Sequence, residues 1–122
     1  MCGNQMKTAN CSDLMKLSIP AIRYALAKGL SEKYGMDQSR IALSLGITQA
    51  AVNKYLSDKC SANISKLGKA AYADGIVGNS MLDAASGADT KKLNGMIDRA
   101  ASGKAMINLM SKKLGIKVAL LA

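Results

Sequence analysis

Residues 38–57 read QSRIALSLGITQAAVNKYLS, and this stretch decides the fold because its small, glycine and apolar positions have the offsets of two short helices around a tight turn. Ala42 falls where the two helices would cross, and Gly46 falls in the turn, where the backbone is expected to need a positive φ. The inward face has five members: Ile41, Leu45, Ile47, Val52 and Tyr55. The stretch therefore predicts a helix-turn-helix, with helices over about 38–45 and 49–57.

Both helix starts in this stretch carry a capping residue. Thr48 is expected to accept a hydrogen bond from the amide of Ala50 or Ala51, and Asp37 is placed to cap the preceding helix in the same way. A helical hairpin with a glycine turn is common in small all-α proteins and carries no function by itself. Two capped starts on either side of the turn favour the helix-turn-helix over this simpler interpretation.

The second helix of the motif leaves a polar face outside the predicted core. That face consists of Gln49, Ala50, Asn53 and Lys54. In a helix-turn-helix, the start and middle of the second helix meet the edges of the DNA bases. An exposed Gln, Asn or Lys on a helix is usually only solvated, so the expectation of a double-stranded DNA partner depends on the motif that surrounds these residues.

The charge of the chain is compatible with such a partner. The 122 residues have a formal net charge of +9 and a pI near 9.6. Lysine and arginine displace condensed counterions when they contact phosphates, but a solvated basic surface explains an excess that is spread along the whole chain equally well. The excess gains meaning only where Arg40, Lys54 and Lys59 flank the predicted DNA-facing surface.

The length of 122 residues indicates one ordinary domain, or a DNA-binding domain with a short appendage. Because the chain has helical periodicity and no strand pattern, we expect the all-α class, with a five-helix DNA-binding domain and a C-terminal helical extension. Residues 1–17 are predicted as an N-terminal arm, 18–87 as the helix-turn-helix DNA-binding domain and 88–122 as a helical extension. No stretch approaches the roughly 18 to 20 apolar residues that cross a bilayer, and the N-terminus lacks the apolar core of a signal peptide. We therefore expect a cytoplasmic protein with no membrane partner.

Helix boundaries outside the motif are predicted from proline, glycine and capping residues. The first helix is expected to start at Ser18, with Pro20 in its first turn, and to end at Gly35. Its apolar stripe comprises Ile19, Ile22, Leu26, Leu30 and Tyr34. Asn63 and Thr90 are predicted to cap two of the later helices.

The C-terminal third carries two apolar stripes at helical spacing. They comprise Leu93, Met96, Ile97 and Ala100, followed by Met106, Ile107, Met110 and Leu114. The stripes exceed what a five-helix domain needs for its core, so residues 88–122 are predicted to form a homodimer interface. The alternative is that the stripes extend the core of the monomer.

The run PAIRYALAKGLSEKYGMDQSRIALSLGITQAAVNKYLS, from Pro20 to Ser57, resembles the N-terminal domain of predicted archaeal transcriptional regulators of the lambda-repressor-like superfamily, of the xenobiotic-response-element type. The most specific parts are PAIR, at 20–23, and LGITQAAVNKYLS, at 45–57; members commonly have serine at the position of Asn53. The resemblance covers about a third of the chain. It implies a lambda-repressor-like five-helix DNA-binding domain in a sequence-specific transcription factor, and residues 88–122 lie outside it.

The resemblance also implies a role for each candidate residue. The base-reading residues would be Gln49, Ala50 and Asn53, with the Gln49 amide on N6 and N7 of adenine. The phosphate-contacting residues would be Gln38, Ser39, Arg40, Thr48, Lys54 and Lys59.

Three cysteines and the absence of histidine limit any other chemistry. A closed zinc or iron-sulfur site normally needs four protein ligands, so Cys2, Cys11 and Cys60 are predicted to be free thiols and no cofactor is expected. A redox or metal sensor that gathers the three thiols is a less favoured alternative. Without histidine, clustered carboxylates or a phosphate-binding glycine loop, the chain is not expected to be an enzyme.

A function from another class competes with the regulator. It is a protein-interaction module, such as an antitoxin-like protein, whose C-terminal stripes bind an acidic or apolar partner. Binding to random duplex DNA at two salt concentrations separates the two functions, because only the regulator should show a steep salt dependence. RNA binding is less favoured still, since four tyrosines are the only aromatic residues available for stacking.

Overall fold

Seven helices and one pair of two-residue strands make up the part of the chain that the structure, a computed structural model, describes. That part comprises the backbone of residues 8–9, 11–114 and 117–118 and the side chains of residues 15–114. In chain order the elements are β1 (Thr8–Ala9), α1 (Cys11–Glu32), α2 (Gln38–Leu45), α3 (Gln49–Leu56), α4 (Ala62–Ala73), α5 (Gly78–Ala85), α6 (Thr90–Ser102), α7 (Lys104–Leu114) and β2 (Lys117–Val118). The predicted all-α class is confirmed, although the parallel pairing of β1 with β2 has no counterpart in the sequence prediction. None of the described helices combines the length and the apolar character needed to span a membrane.

Helix α1 is longer than the sequence predicts. It begins at Cys11, so the predicted start at Ser18 is wrong, residues 11–17 of the predicted arm are helical, and Pro20 lies inside the helix. Tertiary contacts explain the extension. Met15 and Leu17 pack against the core, and the buried Ser18 hydroxyl donates a hydrogen bond to the carbonyl of Ala101. Residues 15–18, upstream of or at the predicted start, are therefore part of the packed structure and not of a separate arm.

The same helix forms the centre of the fold, because α2, α3, α4, α5 and α6 all pack on it. Its closest neighbour is α4, and the approach depends on Gly68. A Cβ at that position would collide with the ring of Tyr24, which is 1% exposed. Because Gly68 has no side chain, the ring of Tyr24 in α1 can lie directly on the backbone of α4. By contrast, Tyr34, predicted in the α1 stripe, lies beyond the end of the helix and is 44% exposed.

The C-terminal helices complete this same core. Six of their side chains are buried in the cluster that also contains the helix-turn-helix: Leu93, Ile97, Ala101, Met106, Leu109 and Met110. Met96, Ala100, Ile107 and Leu114, the other members of the predicted stripes, are partly buried against it. The apolar stripes on which the homodimer expectation rested are therefore buried within one chain. This agrees with the alternative interpretation, in which the stripes extend the core of the monomer.

Two helix starts differ by a residue or two from their predicted caps. The Ser61 hydroxyl, and not Asn63, caps α4 by accepting a hydrogen bond from the Ile64 amide at 3.2 Å. Asp89, and not Thr90, caps α6 by accepting from the Lys92 amide at 2.8 Å. In each case two capping residue types lie close together in the sequence, and the upstream one takes the role.

Candidate nucleic-acid interface

The turn between α2 and α3 has the backbone that the sequence predicts. Gly46 is left-handed, with φ 68° and ψ 34°, and its amide bonds the carbonyl of Leu43 at 3.3 Å. The next amide, that of Ile47, bonds the carbonyl of Ala42 at 3.0 Å. This pair of hydrogen bonds is the Schellman arrangement that ends a helix at a glycine. The predicted helix bounds and the positive φ at position 46 are both confirmed.

A tertiary contact gives Gly46 a second reason to be glycine. A Cβ on Gly46 would lie 2.6 Å from Cγ2 of Thr90, at the start of α6. The Thr90 hydroxyl also donates a 3.0 Å hydrogen bond to the carbonyl of Leu43, in the last turn of α2. The start of α6 therefore supports the turn of the motif, a contact between segments that no local pattern reveals.

The predicted caps and the inward face of the motif are also confirmed. Oγ1 of Thr48 accepts from the Ala51 amide at 3.0 Å, and Oδ1 of Asp37 accepts from the Arg40 amide at 2.9 Å. Ala42 is 7% exposed, as expected for a small residue at a helix crossing. Three of the predicted inward residues are fully buried and two partly buried: Ile41, Leu45 and Val52, and then Ile47 and Tyr55.

The outer face of α3 is open to solvent. Gln49, Ala50, Asn53 and Lys54 are all exposed, as the sequence predicts. Nε2 of Gln49 donates a 3.0 Å hydrogen bond to Oγ of Ser39, in the first turn of α2. This bond joins the two helices across the exposed surface and uses one of the two amide hydrogens, so Oε1 and the other hydrogen can contact a further partner.

The predicted phosphate-contacting residues are spread around this surface. Ser39, Thr48, Lys54 and Lys59 are exposed and Gln38 is half-buried. Arg40 lies on the other side of α2. It lines a groove of about 360 Å³ between α2 and the connection from α5 to α6, together with Leu43, Ser44 and residues 87–90. The structure thus brings Ser39 directly to Gln49, while Arg40 faces the α5–α6 connection.

The C-terminal end of α3 is held by a polar cluster that the sequence analysis missed. Asp58 follows α3 with φ 57° and occupies the position that Gly46 has after α2, which an aspartate tolerates better than most residues. Its carboxylate accepts hydrogen bonds from the Tyr24 hydroxyl and, at 3.2 Å, from the Ser65 hydroxyl. Nζ of Lys28 lies 3.6 Å from Oδ2 of Asp58 and donates a 3.2 Å hydrogen bond to the carbonyl of Leu56.

This cluster, Tyr24, Lys28, Asp58 and Ser65, ties α3 to both α1 and α4. Its members come from three separate segments, so no spacing within one helix points to it. Tyr24 also packs edge-on against Tyr55, with ring centroids 6.3 Å apart and planes at 78°. The sequence analysis placed Tyr55 on the inward face of the motif but identified none of the four residues of the cluster.

Electrostatic interactions within the cluster keep Tyr24 protonated and Asp58 ionised at neutral pH. Burial, and secondly the hydrogen bond to Asp58, raise the pKa of Tyr24 to about 12. The hydrogen bond from Tyr24 and the charge of Lys28 lower the pKa of Asp58, although partial desolvation opposes them. A neutral phenol therefore donates to a carboxylate, which is the arrangement with the stronger hydrogen bond.

Of the three cysteines that a redox or metal sensor would use, Cys60 is the one whose side chain the structure describes. Cys60 is half-buried, and burial raises the pKa of its thiol, which disfavours the thiolate that metal binding or oxidation requires. The side chains of Cys2 and Cys11 lie outside the described residues. Within the described part of the chain, no group of three Cys, Asp or Glu side chains is close enough to hold a metal ion.

Comparison of the chain with protein-family models, with curated proteins and with solved structures gives no match. The functional interpretation therefore depends on the geometry and chemistry of the surface itself.

Proposed function

We propose that this protein is a sequence-specific DNA-binding transcriptional regulator that reads the major groove with α3. We further propose that α1 to α5 form a lambda-repressor-like domain, as the resemblance over residues 20–57 implies. One observation carries the proposal. Helix α3 is capped, and it is held by α2 at one end and by the Asp58 cluster at the other. Its exposed face presents Gln49, Ala50, Asn53 and Lys54.

Gln49 is the main base-reading residue in this proposal. A glutamine amide can bond N6 and N7 of adenine with two hydrogen bonds at once. The hydrogen bond to Ser39 holds the Gln49 side chain before DNA arrives, which lowers the conformational entropy lost on binding. Asn53 lies one turn further along the same face and offers a second amide, while Ala50 suits contact with a thymine methyl.

Phosphate contacts would position this face on the duplex. Asp37 accepts from the amide of Arg40, and the amides of Gln38 and Ser39, in the first turn of α2, have no acceptor within their own helix. Arg40, Thr48, Lys54 and Lys59 would add contacts that carry no sequence information. Each lysine or arginine that contacts a phosphate should make the slope of log affinity against log salt concentration more negative by about 0.9.

A single helix-turn-helix covers few base pairs, so we retain the proposal of a homodimer that spans two half-sites about 34 Å apart. Its basis is this geometry and not the apolar stripes of α6 and α7, which are buried in the core. Equilibrium sedimentation of the full chain, free and with duplex, tests it. A monomer in both conditions would rule the dimer out.

A protein-interaction module is the second candidate, because the structure has one feature that suits it. Leu43 is 77% exposed and lies at the edge of the groove between α2 and the α5–α6 connection. A single exposed leucine is normal on protein surfaces, so this feature alone gives the candidate less weight than the open face of α3.

Selection of bound duplexes from a random pool tests the regulator most broadly. The regulator predicts an enriched site containing adenine, and an affinity that falls steeply between two salt concentrations. Gln49→Ala should then cost about 1–3 kcal/mol at one base pair, whereas Lys54→Ala should weaken binding to all sequences alike and flatten the salt slope. No enrichment together with salt-independent binding would favour the interaction module instead.

A further inference from the structure

One side of α5 presents an uncharged strip to solvent. The helix packs on α1 and α6, and Met81 and Ala84 are buried on its inner side. Its outer side has one large apolar side chain, that of Leu82, which is 53% exposed. The strip, called the α5 face below, consists of four exposed residues at helical spacing: Gly78, Asn79, Leu82 and Ser86.

The α5 face lies in the longest stretch of the chain that has no lysine or arginine. Residues 70–90 contain three aspartates and no basic residue, whereas the whole chain has 17 basic residues and a net charge of +9. Asp74 and Asp89 lie outside α5, and the half-buried Asp83 is turned about 100° around the helix from Leu82. Two copies of so basic a protein repel each other where lysines face lysines, so a second copy can approach the α5 face with less repulsion than elsewhere.

Gly78 supplies an independent observation, because nothing inside the chain requires a glycine there. A Cβ built on Gly78 has no atom within 4 Å, and its φ is not left-handed. By contrast, a Cβ on Gly68 would collide with Tyr24. Glycine favours a helix less than any residue except proline, so its presence at the start of α5 needs an external reason. The close approach of another helix against this face provides one.

We propose that two copies of this chain associate through the α5 face, with Leu82 of each copy packed against Leu82 and Gly78 of the partner subunit. The same face contacts itself across a two-fold axis, which is the usual arrangement in homodimers. The lack of charge favours a second copy over other partners, because an acidic protein would be attracted to the surfaces that carry the lysines. The interface is inferred from the chain alone, and its use on two half-sites rests on the proposed DNA-binding function.

The size of the face predicts a weak dimer. Eight helical residues span about 12 Å, which is too short to bury the roughly 800 Å² per partner typical of stable complexes. We therefore expect a dissociation constant on the order of 100 μM for the free chain. Two copies on one duplex are held at an effective concentration of about 1 mM, so the same contact can join them there.

Sedimentation equilibrium of the full chain under reducing conditions, from about 10 μM to 1 mM, tests the interface. Leu82→Lys and Leu82→Glu should each abolish the dimer, because like charges then face each other, and an equimolar mixture of the two variants should restore it. Leu43→Lys is the matched control: this leucine of α2 is 77% exposed, and its replacement should leave the dimer unchanged. A monomer at every concentration, a dimer in either Leu82 variant alone, loss of the dimer in Leu43→Lys, or no restoration in the mixture would overturn the proposal.

Gly78→Ala separates association from folding. The added methyl group should weaken the dimer about tenfold by keeping the two helices apart, while the urea midpoint of the monomer stays the same or rises, because alanine favours the helix. Unchanged association in this variant would contradict the close approach at Gly78.

The use of the interface on DNA has its own readout. The natural chain should bind a selected duplex with two half-sites about tenfold more tightly than a duplex with one, and Leu82→Gln, which adds no charge, should lose this gain while its affinity for the single half-site stays unchanged. An unchanged gain in Leu82→Gln would overturn the role of α5 on DNA. If the chain binds neither duplex, the DNA-binding proposal fails, while the sedimentation series still decides the interface.

Discussion

Replacing Gly46 by alanine should destabilise the protein through two separable effects. The left-handed φ of 68° costs a residue with a Cβ about 1–2 kcal/mol. The new Cβ would also lie 2.6 Å from Cγ2 of Thr90, and overpacking of this kind costs about 1–3 kcal/mol. Together they predict a loss of about 2–5 kcal/mol in the free energy of unfolding, a large share of the roughly 5–15 kcal/mol typical of a domain.

The chain offers a matched control for each effect. Gly35 has φ 62° and nothing within 4 Å of a built Cβ, so Gly35→Ala should show the backbone cost alone, about 1–2 kcal/mol. Thr90→Ser removes Cγ2 but keeps the hydroxyl that donates to the Leu43 carbonyl. In a Thr90→Ser background, Gly46→Ala should therefore cost only as much as Gly35→Ala does in the natural chain.

Urea unfolding followed by far-ultraviolet circular dichroism measures on one scale the unfolding free energies of the natural chain, the three single variants and the double variant. Similar losses for Gly46→Ala and Gly35→Ala would show that α6 does not press on the turn. An unchanged Gly46→Ala loss in the Thr90→Ser background would refute the assignment of the contact to Cγ2.

Three further predictions concern the packing and polar contacts around α3 and α4. Gly68→Ala should lower the unfolding free energy by about 1–3 kcal/mol, because its Cβ would meet the buried Tyr24 ring; an unchanged urea midpoint would contradict this. Asp58→Asn should flatten the acid limb of stability: the pKa of Asp58 is lowered in the folded protein, so its contribution is complete above the unfolded pKa of about 3.9 and disappears as the pH falls through the folded pKa. Parallel profiles of unfolding free energy against pH for the variant and the natural chain would show that Asp58 does not contribute to the acid dependence of stability. Ser61→Ala should lower the free energy of unfolding by about 1 kcal/mol, whereas Asn63→Ala should leave it unchanged, because Ser61 caps α4. A larger loss for Asn63→Ala in thermal denaturation would show that Asn63 is the cap, as the sequence predicts.

Local signals account for what the sequence predicted well. The turn at Gly46 and the caps at Thr48 and Asp37 depend on hydrogen bonds that span three to five residues, so the sequence pattern contains all the participants. The exposure of Gln49 and Asn53 follows from the same helical periodicity that buries the opposite face.

Contacts between distant segments account for what it missed. A hydrogen bond from Ser18 to Ala101 joins the N-terminal half of α1 to α6, and one from Tyr24 to Asp58 joins α1 to the end of α3. The apolar stripes around Leu93 and Met106 look alike whether they pack within one chain or between two, and only the path of the chain decides between these. Periodicity predicts which face of a helix is buried but not what buries it.

The most direct test of the DNA-reading surface combines Gln49→Ala with a change of one atom in the DNA. In a duplex from the selection, each adenine in turn is replaced by 7-deazaadenine, which lacks the N7 acceptor but keeps its base pairing and its phosphate. Fluorescence anisotropy should identify one adenine at which the natural chain loses about tenfold in affinity and the Gln49→Ala variant loses almost nothing further. Equal losses in both proteins at every adenine would contradict the claim that the exposed face of α3 reads DNA through Gln49.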